Sequence, residues 1–124
     1  MTPVRVLLVD DDDLMRAGLK AVISSDPSVK VVGEAGNGRA AVEQVRALRP
    51  DLVLMDVRMP GLGGVAATNR IKAAHPATVV ALISTTSPED LGPEIAESDA
   101  DALIWKRDLR PRVLEDLWRH RRAG

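Results

Sequence analysis

A chain of 124 residues, 45% hydrophobic and 28% charged, is expected to form one soluble domain around one core, with no room for a second catalytic or DNA-reading unit. Its 17 basic residues nearly balance 18 acidic ones, so no general basic field exists to hold nucleic acid. There is no cysteine, the two histidines (His75 and His120) are far apart, and both aromatic residues are tryptophan, which excludes disulfide, thiolate and zinc–thiolate chemistry and a stacking platform for single-stranded nucleic acid.

The first apolar run, Val4 to Val9, reads as a buried strand and stops at four aspartates, Asp10 to Asp13. It is too short for a targeting or membrane segment, so a cytoplasmic protein is expected. A helix is predicted next, with Asp13 as N-cap, Leu14, Ala17, Gly18, Ala21 and Val22 on its buried face, and an end near Asp26-Pro27. Val29 to Glu34 is the second strand. A second helix follows Gly36-Asn37-Gly38, turns Ala41, Val45 and Leu48 inward and stops at Arg49-Pro50. Leu52 to Met55 is the third strand, and the turn Pro60-Gly61-Leu62-Gly63-Gly64 leads into a third helix with Val65, Thr68 and Ile71 inward, running to His75-Pro76. Val79 to Ile83 is the fourth strand. Ser87-Pro88-Glu89-Asp90 starts a fourth helix well, but Gly92-Pro93 follows within a turn, and an internal proline costs about 3 kcal/mol or more. A short, displaced or weakly held fourth helix is expected. Ala102 to Trp105 is the fifth strand, and a fifth helix buries Val113, Leu114, Leu117 and Trp118. Its basic end, Arg119, His120, Arg121 and Arg122, reads as a complement to the helix dipole.

Five β-α alternations imply a doubly wound α/β fold, a parallel sheet with right-handed crossovers and helices on both faces. In such sheets ligands bind beyond the carboxyl ends of the strands. The residues standing there are Asp10 and Asp11 after the first strand, Asp56 after the third, Ser84 after the fourth and Lys106 after the fifth. Taken singly each has a bland reading: turn residue, strand-end cap, solvated charge. Asp12 and Asp13 read as caps. Taken together, carboxylates this close raise one another's pKa unless a cation joins them, and oxygen donors without His or Cys suit Mg²⁺ or Mn²⁺. Metal, ammonium and hydroxyl together are arranged to receive a phosphoryl group. Asp56 is the natural covalent acceptor, with the Arg58 backbone carbonyl available to the metal.

These residues, with the runs Val4 to Asp11 and Pro50 to Gly61, Ser84 and Lys106, resemble the receiver domain of bacterial two-component response regulators over essentially the whole length. The stretch Val31 to Gly38 is similar to receivers that precede a helix-turn-helix output domain. The resemblance implies a flavodoxin-like sheet of strand order 2-1-3-4-5 and a single receiver domain over residues 1–124, its output domain absent from this chain. It also implies that Asp56 accepts a phosphoryl group from a sensor histidine kinase, that Asp10, Asp11, Asp56 and the Arg58 carbonyl hold Mg²⁺ (or Mn²⁺), and that Ser84 and Lys106 sense the phosphate. Output then runs through a protein partner or a homodimer, with DNA reached only through the absent domain and no role for a membrane. By this reading the chain is a phosphoacceptor, not an enzyme beyond an intrinsic autophosphatase activity.

Three features depart from the family pattern. Leu103 stands where relatives carry an aromatic switch residue, Arg107 where many have proline, and Ser98 to Ala102 where glycines are usual. Three other readings compete. A phosphohydrolase of the haloacid dehalogenase type needs an acid two residues after its nucleophile, where this chain has Arg58. A nucleotide or flavin binder needs a glycine-rich loop after the first strand. A degenerate receiver used only for protein contact differs by taking no phosphoryl group.

Overall fold

Five parallel strands pair side by side in the order β2-β1-β3-β4-β5: β1 (Val4–Val9), β2 (Val29–Ala35), β3 (Leu52–Asp56), β4 (Val79–Ser84) and β5 (Ala102–Trp105). The computed structural model describes residues 2–123, with side chains up to Arg121. The sheet order is the flavodoxin-like one expected.

Successive strand residues point to opposite faces, so strands buried on both sides must be apolar throughout. Val6, Leu8, Leu52, Leu54, Ala81 and Ile83 meet Leu19 and Ile23 of α1 (Asp13–Ile23) and Leu114 of α5 (Pro111–Ala123). The alternate set, Leu7, Val9, Val53, Met55, Val80 and Leu82, meets Ala41 and Val45 of α2 (Gly38–Leu48), Ala67 and Ile71 of α3 (Gly64–Ala74) and Ile95 of α4 (Pro93–Ala96). Helices therefore cover both faces. β3 and β4 are buried at every position, and each large apolar side chain so buried is worth about 1.5–3 kcal/mol. Arg5 in β1 is a polar exception. Its guanidinium donates to the carbonyls of Leu48 (2.9 Å) and Arg49 (2.7 Å), closing the end of α2 where Arg49 turns left-handed at φ 49°.

Several expectations are corrected. The cap of α1 is Asp12, whose carboxylate accepts from the amides of Leu14 and Met15 at 3.0 Å; Asp13 is the first helical residue and pairs with Arg16 at 2.7 Å. The stripe predicted to be buried faces out: Leu14 is 84% exposed and Val22 39%, with Ala17, Gly18 and Ala21 also exposed. Leu19 and Ile23, four residues apart, take the core instead, because these two side chains lie one turn apart on one face, whereas on the other stripe only alanines and a glycine stand between Leu14 and Val22. In α5, Leu114 is buried while Val113 is 38% exposed. The strands also run on: β2 to Ala35, β3 to Asp56 and β4 to Ser84.

The fourth helix is short, as the proline spacing requires. Pro88–Asp90 is a single 3₁₀ turn, the chain breaks at Leu91-Gly92, and α4 has four residues with only Ile95 buried. At the end of α5, Arg119 pairs with Glu115 at 2.5 Å and Arg121 donates to the Asp101 carbonyl. The Arg122 side chain lies outside the described residues.

Candidate functional site

The carboxyl ends of β1, β3, β4 and β5 frame a cleft of about 210 Å³, lined by Asp10, Asp11, Asp12, Met15, Asp56, Arg58, Ser84, Thr85 and Lys106. All the residues singled out in the sequence meet there. Asp10 leaves β1 and is held by its neighbours: its amide donates to the Ala35 carbonyl at 3.1 Å, its Oδ1 accepts from the Asp12 amide at 3.0 Å, and its carbonyl accepts from Arg16 at 2.6 Å. Arg16 also reaches Glu34 of β2 at 3.2 Å, so the start of α1 is tied to the sheet beside the cleft. Asp10 is 1% exposed, whereas Asp11 stands at the open mouth.

Asp56 is the last residue of β3, paired across to Ile83, and 8% exposed. Its Oδ1 accepts from the Arg58 amide at 3.2 Å. Glycines fix the turn behind it. A Cβ on Gly64 would lie 2.0 Å from the Asp56 carbonyl oxygen, and Gly61 takes φ 75°, a conformation costly for other residues. The tight Pro60 to Gly64 turn thus lets α3 start against the end of β3. Ser84 closes β4, and its Oγ accepts from the Thr86 amide at 2.9 Å.

Carboxylate oxygens of Asp10, Asp11 and Asp56 lie within 4.8 Å of one another. Lys106 reaches into this group from the end of β5, its Nζ 2.8 Å from Asp10 Oδ2 and 3.5 Å from Asp56 Oδ2. One buried ammonium does not offset three acids. Burial pushes the Asp56 carboxyl up from 3.8 to about 6; Lys106 pulls it back down and the Asp10 charge raises it again. The donor set is oxygen only, among carboxylates held in excess of their counter-charge, which fits a hard divalent cation.

Sequence reasoning missed Thr85 and Met15, which line the cleft without belonging to the acid cluster. Thr85 was within reach of the same signal, being the next residue past β4. Met15 was not, because its place depends on how α1 is rotated. Arg58, exposed, also lines the rim.

The model of the response regulator receiver domain matches residues 6–117. The chain is 35% identical over 103 residues to response regulator GacA of Pseudomonas viridiflava, covering 83% of this chain and 48% of that protein. It is 36% identical over 118 residues to protein-glutamate methylesterase/protein-glutamine glutaminase 2 of Photobacterium profundum, covering 95% of this chain and 29% of that protein. The chain therefore spans half or less of the length of these curated relatives. Among solved structures, the response regulator domain of Thermotoga maritima CheB is similar, with a TM-score of 0.83, 34% identity and 99% of each chain covered.

Proposed function

The chain belongs to the response regulator receiver family, a signalling domain, and from that membership we propose that Asp56 is its phosphoacceptor and a sensor histidine kinase the donor. An Asp56 carboxylate oxygen attacks the phosphorus of a phosphohistidine; the P–N bond breaks, its electron pair returns to the imidazole, which takes up a proton, and a P–O bond to Asp56 forms. The observation that carries this is the gathering of three carboxylates around one lysine at the carboxyl edge of the sheet.

Asp10, Asp11, Asp56 and the Arg58 carbonyl would hold Mg²⁺ (or Mn²⁺). When bound, the ion supplies the positive charge that lets a phosphoryl group approach these acids. Lys106, already 3.5 Å from Asp56, holds a phosphoryl oxygen by charge, and the Ser84 hydroxyl donates to another. A phosphoryl group brings about two negative charges, enough to draw Lys106 away from Asp10 and to reset the surface built by α4, β5 and α5. The exposed apolar stripe of α1, led by Leu14, offers the kinase its footing. The readout is a protein partner or a homodimer. Transcriptional control through DNA requires an output domain outside these 124 residues, and a methylesterase output of the kind named in one relative requires one as well. No helix among the described residues is long and apolar enough to cross a membrane.

Acetyl phosphate with MgCl₂ tests the acceptor directly. Intact mass should rise by one phosphoryl group in the native chain and stay unchanged in Asp56→Asn. No gain in the native chain would leave the degenerate receiver as the better reading.

A further inference from the structure

Trp105 makes two contacts that phosphoryl acceptance does not use. It closes β5 in register with Ser84, half-buried, and its indole N–H donates to the Thr85 carbonyl at 3.1 Å. Thr85 stands on the rim of the acid cleft. On the other side, the Arg107 guanidinium lies 4.4 Å from the centre of the Trp105 ring, and Arg107 itself is exposed. Between them in the chain, Lys106 reaches back to Asp10 and Asp56. One indole therefore grips, by its edge, the loop that carries Ser84, and by its face a cation on the outer surface.

We infer that Trp105 is a positioning residue that couples the phosphoryl site to the start of α5. When Ser84 and Thr85 are drawn toward a phosphoryl group on Asp56, the indole loses the Thr85 carbonyl and turns, carrying Arg107 to a new place on the surface. The inference rests on the reading of Asp56 as acceptor. Three physical points support it. Ser84 and Trp105 are cross-strand partners, so a shift of the Ser84 loop is felt directly at the 3.1 Å bond. That bond lies at the surface, where water replaces a lost partner and breaking it costs little. The cation–π contact, weak at an exposed site, biases the guanidinium to follow the ring. Leu103, which packs toward the α4 side with Leu82 and Leu91, has no polar group to take this part.

The test follows the two indole N–H resonances by ¹⁵N NMR in the full chain, before and after acetyl phosphate and MgCl₂, with intact mass measured on the same sample. Trp118, packed on the core from α5, is the internal reference. Expected is an upfield move and faster solvent exchange of the Trp105 N–H as phosphorylation proceeds, with Trp118 unmoved. In Ser84→Ala brought to the same mass the Trp105 shift should be lost, since the loop is no longer pulled. A Trp105 resonance that stays put at full phosphorylation overturns the inference. So does an equal shift in Ser84→Ala, which marks the bare field of the added charge. Trp105→Phe keeps a ring under Arg107 but removes the donor: hydrogen exchange at residues 85–90 should still respond to phosphorylation, whereas the response at 107–109 should disappear. Both responses persisting overturns the coupling. If the mass never rises, the acceptor reading itself falls, and the coupling with it.

Discussion

Asp56 sits in surroundings that oppose its ionisation, and the consequence for stability has a definite sign. Its carboxyl is raised from 3.8 to about 6, by burial first, against the pull of Lys106 and with help from Asp10. Between these two values the folded chain binds more protons than the unfolded one, so stability falls as pH rises through that window and the full loss is present above it. A shift of this size corresponds to about 1–3 kcal/mol. Asp56→Asn, which removes the charge at similar size, is therefore expected to stabilise the metal-free protein by about that amount at pH 7.5 and by almost nothing at pH 4. Urea unfolding in EDTA at the two pH values measures it; equal effects at both would contradict the assignment. Lys106 works in the opposite sense. Its removal in Lys106→Ala leaves Asp10, only 1% exposed, without its 2.8 Å partner, and should cost about 3 kcal/mol. The same variant should still gain the phosphoryl mass from acetyl phosphate and yet lose any phosphorylation-dependent change in partner affinity. A preserved change would remove Lys106 from the role of sensor.

Among the elements, the strands were the most legible in the sequence and α1 the least. Runs such as Leu52 to Met55 and Val79 to Ile83 are apolar at every position, which only a strand buried on both faces requires, so their assignment did not depend on choosing a face. α1 offers two stripes. Leu14 and Val22 compete with Leu19 and Ile23, and periodicity weighs the two alike; the choice is made by side-chain volume against the sheet, seen only once β1 and β3 are in place. The fourth helix was legible for a different reason, since proline spacing limits length locally without reference to tertiary packing. The outward stripe of α1 has a functional consequence. The Leu14 side chain is 84% exposed, so Leu14→Asp should leave the melting temperature within about 1–2 °C, as surface changes do. If the stripe is the kinase's footing, that variant slows transfer from a phosphorylated histidine kinase at least about tenfold, a loss of about 1.4 kcal/mol, and leaves acetyl phosphate uptake unchanged. Parallel loss with both donors would mean that the acid cleft, and not the docking face, had been damaged.

At the scale of the whole molecule, the topology turns a scattered set of residues into one charged edge. Asp10 and Lys106 are 96 positions apart and meet because parallel strands end on the same side of the sheet, which is why the strand-end rule read the cluster from sequence. The rule could not supply depth: Asp10 is buried and Asp11 exposed, a difference set by the turn into α1 through the Asp12 amide on Asp10 Oδ1. That difference makes Asp11 the cleanest probe of the metal reading. An exposed acid adds little to folding, so Asp11→Ala should leave the metal-free protein nearly as stable as the native one. A ligand that binds only the folded state stabilises it by RT ln(1 + [L]/Kd), about 2.7 kcal/mol at a hundredfold excess over Kd, which for a chain of this size moves the melting temperature by about 8–16 °C. MgCl₂ should produce such a rise in the native chain beyond a control matched in ionic strength with NaCl, and EDTA should reverse it. In Asp11→Ala the rise should shrink to the salt control, because the site has lost one of its three carboxylates while its buried part is intact. A full Mg²⁺ response in that variant would show that Asp11 is not a ligand, and a native chain indifferent to Mg²⁺ would leave the excess negative charge at the sheet edge without the cation assigned to it.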